Sequence, residues 1–302
     1  MLGHAQPGSV ALPRLSMAVD QLQPSKSVAA LYHQPIRLLA CEFEVQSNSH
    51  EVMDLLSFVT QRAEQDVPVT HRSTITISSS DGEFAISGAD IDESELGVTS
   101  TVEILYETLY RQAFAAMPDH IAVRAITGMH AGHTFLIVGG KRAGKSTLAV
   151  RLALEGFNIG GDHVALVRNG SAIAFPQRFR LPPASLALMP KHPALVKYMT
   201  STPQEGQLIP IDPLDLGKPW RIAPAEVSCI LYIEPNHGAE TRIRVCGKVD
   251  MMRRVLPHCT MPVSRRADWI SDLSTSINHA HTHVIDFGDL DSAVASIKDI
   301  FE

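Results

Sequence analysis

The sequence predicts an α/β fold, with a large core of alternating strands and helices preceded by a small α+β domain. Two observations support this class. Two segments before residue 88 alternate apolar and polar side chains as strands do, and a helical pattern follows them. Beyond Pro118, short apolar strand segments alternate with a helix-forming segment that starts at Lys145. We therefore divide the chain into residues 1–27, 28–118 and 119–302.

Residues 1–27 and the overall composition predict the cellular compartment of the protein. Proline, glycine and charged residues leave this first segment too little apolar surface to pack, so it is predicted to be a disordered tail. No apolar run approaches the roughly 18 residues that span a bilayer, and the start lacks the apolar centre of a signal peptide. We predict a cytoplasmic protein without a membrane partner. Its four cysteines, predicted to be reduced and partly buried, are Cys41, Cys229, Cys246 and Cys259.

The small domain, residues 28–118, is predicted to contain strands followed by one helix. Asp81-Gly82 lies between two alternating segments and is typical of a hairpin turn. The helix covers "TVEILYETLYRQAFAAM", with Ser100 or Thr101 as its cap and an end near Pro118.

This small domain is also acidic, with 14 Asp and Glu against 4 Lys and Arg, in a chain whose net charge is −6. An acidic region repels nucleic-acid phosphates, and no basic run with interleaved aromatic residues occurs elsewhere. We therefore predict no nucleic-acid partner. The acidic residues form either a solvated face or a docking surface for a basic partner.

The core from residue 119 onward contains strand and helix segments around one glycine-rich turn. In chain order these segments are "IAVRAITG", "TFLIVGG", the helix "KSTLAVRLALEG", "HVALV" and "VSCILYIEP". Residues 182–224 hold nine of the 19 prolines, which long helices and central strands do not tolerate. We predict that they form an ordered, irregular flap over the sheet that is able to move.

The glycine-rich turn reads Gly139-x4-Gly144-Lys145-Ser146, the pattern of a phosphate-binding loop, and stands between a buried strand and an Ala/Leu-rich helix. Backbone N–H groups of such a loop surround an anion, and the helix N-terminus favours negative charge. Lys145 is predicted to contact the β- and γ-phosphates of ATP, and the Ser146 hydroxyl to ligate Mg²⁺. The alternative is a glycine-rich turn without a ligand. The predicted ATP-binding residues are Gly139, Gly140, Lys141, Arg142, Ala143, Gly144, Lys145, Ser146 and Thr147.

Asp162 lies 16 residues after Ser146, just beyond the helix that Gly156 ends. A one-helix crossover is predicted to return the chain beside the strand from which it started, which brings Asp162 towards the γ-phosphate. Asp162 is therefore a candidate catalytic base and, with Ser146, a candidate metal ligand. The alternative is a turn residue that caps Gly160-Gly161.

The segment "IVGGKRAGKSTLAVRLALEGFNIGGDHVALV" resembles the catalytic core of the HPr kinase/phosphorylase-like family, and the resemblance covers residues 119–260. That family follows its phosphate loop with one helix, a Gly and an Asp-Asp pair that opens a strand. The resemblance implies the P-loop fold of an HPr kinase C-terminal domain and catalytic roles for Lys145 and Asp162. It also implies an upstream His, offered by "DHIAVRAITG" as His120, that orients Asp162 or the acceptor. "AIAFPQRFRLP" is similar to the downstream strand of related kinases.

Two departures separate this chain from the HPr kinases themselves. The second Asp of the pair is His163, and a neutral imidazole is a poor Mg²⁺ ligand. The acidic Arg-Gly signature of HPr kinases has no match. We expect a related kinase whose acceptor is a Ser/Thr hydroxyl of a protein, peptide or free amino acid. A small-molecule kinase and a nucleotide-binding regulator without transfer activity are the alternatives, and homo-oligomer formation stays open.

Three further patterns are not assigned to the site. Asp286 to Gly288 reads Asp-Phe-Gly, but the other motifs of protein kinases do not accompany it. His279, His281 and His283 alternate as ligands on a strand would, yet the helix predicted to end near His279 breaks the geometry of a zinc site. Four arginines are interpreted as surface residues rather than as groups that steer ATP or an acidic substrate. These are Arg253, Arg254, Arg265 and Arg266.

Overall fold

The computed structural model describes residues 32–56, 62–199, 208–260 and 268–302. Across these residues the chain has a mixed α/β fold with several mixed sheets, which confirms the predicted α/β class. The predicted disordered tail lies outside the described residues, as do Arg265 and Arg266. In the described ranges, no helix combines the length and the apolar character needed to cross a bilayer.

The first region forms a sheet covered by a long helix. Its elements in chain order are β1 (Tyr32–Leu38), β2 (Cys41–Ser47), α1 (His50–Leu56), β3 (Glu64–Gln65), β4 (His71–Ser80), β5 (Glu83–Gly88), β6 (Ile91–Leu96) and α2 (Val98–Ala115). The sheet order is β1-β2-β4-β5-β6, with β2 and β4 parallel and the other neighbours antiparallel. The α2 helix packs on this sheet and buries Leu105, Tyr106 and Leu109.

Two local predictions in this region have different outcomes. Asp81 and Gly82 connect β4 to β5 with φ values of +52° and +87°, which confirms the predicted hairpin turn. The predicted helix cap is wrong, because α2 begins at Val98 after Gly97 and no side chain caps it. The Thr101 hydroxyl instead donates to the Gly97 carbonyl oxygen within the first turn, at 3.0 Å.

The second region contains the larger sheet. The strands of this region are β7 (Ile121–Val123), β8 (Ala125–His130), β9 (His133–Gly139), β10 (Asn158–Gly161), β11 (Ala165–Arg168), β12 (Ser171–Ala174), β13 (Phe179–Leu181), β14 (Ile209–Ile211), β15 (Arg221–Ile222), β16 (Ala225–Pro235), β17 (Arg242–Val245), β18 (Cys259–Thr260) and β19 (His281–Phe287). Of these, β13 and β14 form a separate two-stranded sheet, and β15 pairs with β3. Its helices are α3 (Lys145–Leu154), α4 (Pro183–Leu186), α5 (Val196–Met199), α6 (Lys248–Val255), α7 (Trp269–His279) and α8 (Leu290–Phe301). The strand order is β10-β8-β9-β16-β12-β11-β7-β18, with β19 beside β16 and β17 beside β19.

Three parallel strands, β9, β16 and β19, form the centre of this sheet and end at the same edge. Their last residues are Gly139, Pro235 and Phe287. One face of the sheet packs against α3 and α8, and the other packs against α6 and α7. Crevices outside the carboxyl ends of parallel strands are common ligand sites in α/β sheets, so this edge is where a site is expected.

Residues 182–224 form only short elements in their described part, as predicted for an irregular flap. The flap nevertheless buries Leu186, Leu195 and Ile211 against the apolar face of α3. Hydrophobic burial therefore orders the described part of the flap, which covers the helix that follows the glycine-rich turn.

The predicted crossover is wrong in one respect, because α3 leads into β10, which pairs with β8 rather than with β9. The strand predicted for "IAVRAITG" also divides at Arg124 into β7 and β8, which have different neighbours. Since β8 is antiparallel to both β9 and β10, those two strands run in the same direction. The end of β10 therefore still points towards the edge where β9 ends.

The two regions are joined by one of three buried hydrophobic clusters in the described residues. Buried side chains of the first sheet and α2 cluster with Val164, Phe175 and Trp220 of the second region. The short strand β3 also pairs in parallel with β15. The division at residue 118 stays a prediction, but the first region packs directly on the segments around Asp162.

Candidate functional site

The glycine-rich loop, residues 139–147, connects β9 to α3 in a conformation that only glycine fits at one position. Gly144 has a φ of +86°, and a Cβ placed there would lie 2.7 Å from Cε1 of Phe287. No side chain caps α3 at Gly144, so the first N–H groups of this helix have no side-chain partner there. The Phe of the Asp-Phe-Gly sequence thus has a structural role beneath the loop.

Lys145, the first residue of α3, is buried with 8% of its surface exposed. Its Nζ donates hydrogen bonds to the carbonyl oxygens of Gly139 and Gly140, at 2.7 and 2.8 Å. The pKa of Lys145 is lowered to about 8, first by burial and then by the charge of Arg124, while the charge of Asp162 opposes both effects. The ammonium group is therefore held over the loop and close to a carboxylate.

Asp162 follows β10 at an irregularity in the pairing of that strand with β8. Gly161 allows the close approach, because a Cβ there would lie 2.8 Å from the carbonyl oxygen of Phe175. The indole N–H of Trp220 donates to the carbonyl oxygen of Gly160 at 2.9 Å. These contacts hold the backbone turn that carries Asp162. The two glycines therefore permit close backbone packing, which differs from the alternative in which Asp162 only caps a glycine turn.

The Asp162 carboxyl group is buried, with 6% of the residue exposed, and lies beside the loop. Its pKa is raised to about 6, because the effect of burial exceeds the opposing effects of a hydrogen bond from Ser146 and of the charges of Arg180 and Lys145. Asp162 is therefore ionised at neutral pH but close to its titration range. The structure brings together three residues that the sequence predicts as a site: Lys145, Ser146 and Asp162.

His163, the next residue, lies among cations. Burial lowers its pKa to about 4, and the charges of Arg124, Arg180 and Lys145 lower it as well. Its Nε2 atom is buried and has no hydrogen-bond partner among the described residues. The imidazole is therefore neutral at pH values near 7, and it offers a lone pair or an N–H to this site.

Two arginines that the sequence analysis did not select complete the site. Arg124 follows β7, and its charge acts on Lys145, His163 and His258. Arg180, on β13, acts on Asp162 and His163. Within the described ranges, no carboxylate lies at ion-pair distance from either guanidinium. A basic residue inside an apolar strand pattern, as in "AVRAI" and "RFRLP", is the sequence signal that could have found them.

His258 joins the same group from the segment before β18. Its backbone carbonyl accepts a hydrogen bond from the Arg124 backbone N–H at 2.9 Å, and its Nε2 lies 3.2 Å from the Tyr232 hydroxyl. Burial lowers the pKa of His258, followed by the charges of Lys145 and Arg124. His258 therefore lies near the two cations Lys145 and Arg124.

The structure does not bring His120 to this group, and its predicted role of orienting Asp162 is corrected. In the antiparallel pairing of β7 with β11, Ile121 lies opposite Val167 and Val123 opposite Ala165. His120 is therefore at the end of β7 away from Asp162, and Arg124 is at the near end. Burial lowers the pKa of His120, followed by the charge of Arg168.

The other sequence patterns lie elsewhere. The α7 helix ends at His279, as predicted, and β19 begins at His281. No group of three or more His, Cys, Asp or Glu side chains that could hold a metal occurs in the described parts of the chain. Arg253 pairs with Asp250, and Arg254 pairs with Glu234 and lies over the Tyr232 ring.

Ser146 and Asp162 nevertheless have the oxygen donors that a Mg²⁺ ion would need. Proteins commonly hold Mg²⁺ with one or two oxygen side chains, while phosphates and water supply the other ligands. The hydroxyl of Ser146 and the carboxylate of Asp162 lie side by side and are both hard oxygen donors. The neutral imidazole of His163 does not suit this ion.

Comparison with known proteins adds no relative: no protein-family model matches the chain, and the curated proteins searched contain no significant match. The resemblance to HPr kinases over residues 119–260 therefore stays a prediction.

Proposed function

We propose that this protein is an ATP-dependent kinase that transfers the γ-phosphoryl group to a Ser/Thr hydroxyl of a protein, peptide or free amino acid. The observation that carries the proposal is the position of buried Asp162 beside Lys145 and Ser146, at the edge where β9 ends. A strand, a glycine-rich loop, a helix N-terminus and a nearby carboxylate are the parts that phosphoryl transfer requires. This proposal includes the P-loop fold suggested by the resemblance to HPr kinases.

In this proposal the loop binds the triphosphate. The backbone N–H groups at the start of α3 and the ammonium group of Lys145 contact the β- and γ-phosphates. Lys145 already lies over the loop, held by the carbonyl oxygens of Gly139 and Gly140. Arg124 and Arg180 add positive charge close by, and positioned cations stabilise the charge that develops in phosphoryl transfer.

Asp162 accepts the proton of the acceptor hydroxyl as its oxygen attacks the γ-phosphorus and ADP leaves. A carboxylate with a pKa of about 6 is ionised at neutral pH and is a stronger base than an ordinary aspartate. Ser146 and Asp162 would hold Mg²⁺, which when bound neutralises charge on the phosphates. Burial of the site limits competing transfer to water.

Two alternatives use the same binding site. A small-molecule kinase would differ only in the acceptor. A nucleotide-binding regulator without transfer activity is favoured by His163, a neutral side chain next to Asp162 in the position where the HPr kinase family has a second acid. In all three cases we propose a cytoplasmic location, where ATP and Mg²⁺ are supplied.

The test is to incubate the purified protein with γ-labelled ATP and Mg²⁺, alone and then with candidate peptides, free serine and threonine, and fractionated cell extract. Label on the hydroxyl of a protein, peptide or amino acid supports the proposal, whereas label on an unrelated metabolite supports the small-molecule kinase. ATP binding without transfer in any fraction supports the regulator. The Asp162→Asn variant serves as the control for contaminating kinases, because asparagine has nearly the same shape as aspartate but cannot accept the proton.

A further inference from the structure

The first region contributes a side chain that contacts Arg180, a cation whose charge acts on Asp162. Tyr106, on the buried face of α2, is 2% exposed. Its hydroxyl oxygen accepts a hydrogen bond from Nη2 of Arg180 at 3.0 Å and one from Nε2 of Gln177 at 3.1 Å. The guanidinium carbon of Arg180 also lies 5.1 Å from the centre of the Tyr106 ring. Tyr106 therefore contacts Arg180 through both its hydroxyl and its ring.

The backbone of β13 directs Arg180 towards this tyrosine. Phe179 and Leu181 are fully buried and pack in the cluster that includes α3. Because successive side chains of a strand point to opposite faces, Arg180 points away from that cluster. The charge of Arg180 acts there on Asp162 and His163. The hydrogen bond to the Tyr106 hydroxyl fixes the direction of the Arg180 side chain.

Tyr106 is itself held in a stack of aromatic rings. Its ring centre lies 4.1 Å from that of Tyr110, which lies 4.8 Å from that of Phe175. Phe114, one turn further along α2, stacks on the same Phe175 at 4.7 Å. The carbonyl oxygen of Phe175 closely approaches Gly161, the residue before Asp162. The α2 helix, the segment from Phe175 to Arg180 and the Asp162 turn thus form one packed unit.

We propose that Tyr106 is a positioning residue that holds the Arg180 guanidinium beside the glycine-rich loop, where it contacts the terminal phosphate of a bound nucleoside triphosphate. The proposal rests on the proposed function to the extent that a nucleotide binds the loop. It deepens that function by making the α+β region part of the phosphate site, rather than an appended domain. Arg180 then makes ATP bind more tightly than ADP, and Tyr106 determines the size of this preference.

The experiment compares the affinities of ATP and ADP, with Mg²⁺ present, by calorimetry on the full chain. The variants are Arg180→Gln, Tyr106→Phe and, as the matched control, Tyr110→Phe, which removes a neighbouring buried hydroxyl that makes no hydrogen bond to Arg180. The expected effects follow from the free energy of a hydrogen bond to a charged group, since about 1.4 kcal/mol changes the affinity tenfold. Arg180→Gln should reduce the preference for ATP over ADP by roughly tenfold, and Tyr106→Phe by about threefold. Tyr110→Phe should leave the preference unchanged.

A double-mutant cycle separates positioning from general destabilisation. If Tyr106 acts through Arg180, Tyr106→Phe changes the ATP-to-ADP ratio in the parent protein but not in the Arg180→Gln background. A Tyr106→Phe protein that binds ATP and ADP with the parent ratio would overturn the proposal while leaving the proposed function intact. Absence of nucleotide binding by the parent protein would instead overturn both.

A second variant covers the case in which Tyr106→Phe does not fold. Arg180→Lys keeps the charge but removes the planar group that lies over the Tyr106 ring and bonds its hydroxyl. We expect this variant to lose part of the ATP preference, as Tyr106→Phe does. A full parental preference in Arg180→Lys would show that charge alone suffices and that the contact with Tyr106 has no role in nucleotide selection.

Discussion

The ammonium nitrogen of Lys145 lies 2.7 Å from the carbonyl oxygen of Gly139, the last residue of β9. A second bond to Gly140 holds the same ammonium group against the loop backbone. A cation in this position attracts an anion that the backbone N–H groups of the loop can also reach. We propose that this anion is the triphosphate of ATP.

Replacing Lys145 with Met should weaken Mg-ATP binding by at least about tenfold, because the substitution removes the cation that the loop positions. Lys191→Met is the matched control, since Lys191 is an exposed lysine outside the loop. Calorimetric titration of both variants with Mg-ATP measures the difference. Equal affinity of Lys145→Met and the parent would remove the phosphate-binding interpretation.

The lowered pKa of Lys145 predicts a pH dependence of ATP binding. Its pKa is about 8 in the unliganded protein, and a bound phosphate raises it. Above about pH 8 the lysine must take up a proton when ATP binds, so the affinity should fall by up to about tenfold per pH unit. Titrations from about pH 7 to about pH 9.5 measure this slope. The slope should disappear in Lys145→Arg, because arginine stays protonated; a flat profile in the parent would contradict the assignment.

The two glycines at positions 144 and 140 should respond differently to alanine. Gly144→Ala places a Cβ 2.7 Å from Phe287 in a left-handed backbone conformation, whereas a Cβ at Gly140 meets nothing within 4 Å. We expect Gly144→Ala to lower the free energy of unfolding by about 1–3 kcal/mol and to weaken ATP binding. Gly140→Ala should change the unfolding free energy by less than about 0.5 kcal/mol. Urea denaturation of both variants measures this contrast, and equal losses would show that the loop conformation differs from the one described.

His163→Asp should leave phosphoryl transfer intact or increase it. The new carboxylate would lie among Lys145, Arg124 and Arg180, whose charges already disfavour a protonated imidazole at this position. It would also add a hard-oxygen ligand for Mg²⁺ beside Asp162. The measurement is the transfer rate at saturating Mg-ATP in parallel with the parent protein. Loss of transfer together with an unchanged melting temperature would show that the imidazole itself is required.

Local sequence patterns predicted the parts of the site that lie close together in the chain. The loop, the start of α3 and the approach of Asp162 follow from glycine spacing, helix signals and strand direction within about 25 residues. Arg124, Arg180 and Tyr106 could not be predicted in the same way, because they meet through strand order and the packing of α2 on the second region. The error at His120 has the same origin. Choosing between the two ends of β7 required its register against β11, which depends on long-range pairing.

The most direct test of the account is the phosphoryl-transfer rate of Asp162→Asn at saturating Mg-ATP, with the acceptor found by the labelling experiment. Asparagine has nearly the same shape but accepts no proton, so transfer should fall by roughly 10²–10⁴ while ATP affinity stays within a few-fold. In the parent protein kcat/KM should rise with pH through about 6, because this ratio reports the free enzyme, in which burial raises the pKa of Asp162 to about 6. Wild-type rates in Asp162→Asn would contradict the account.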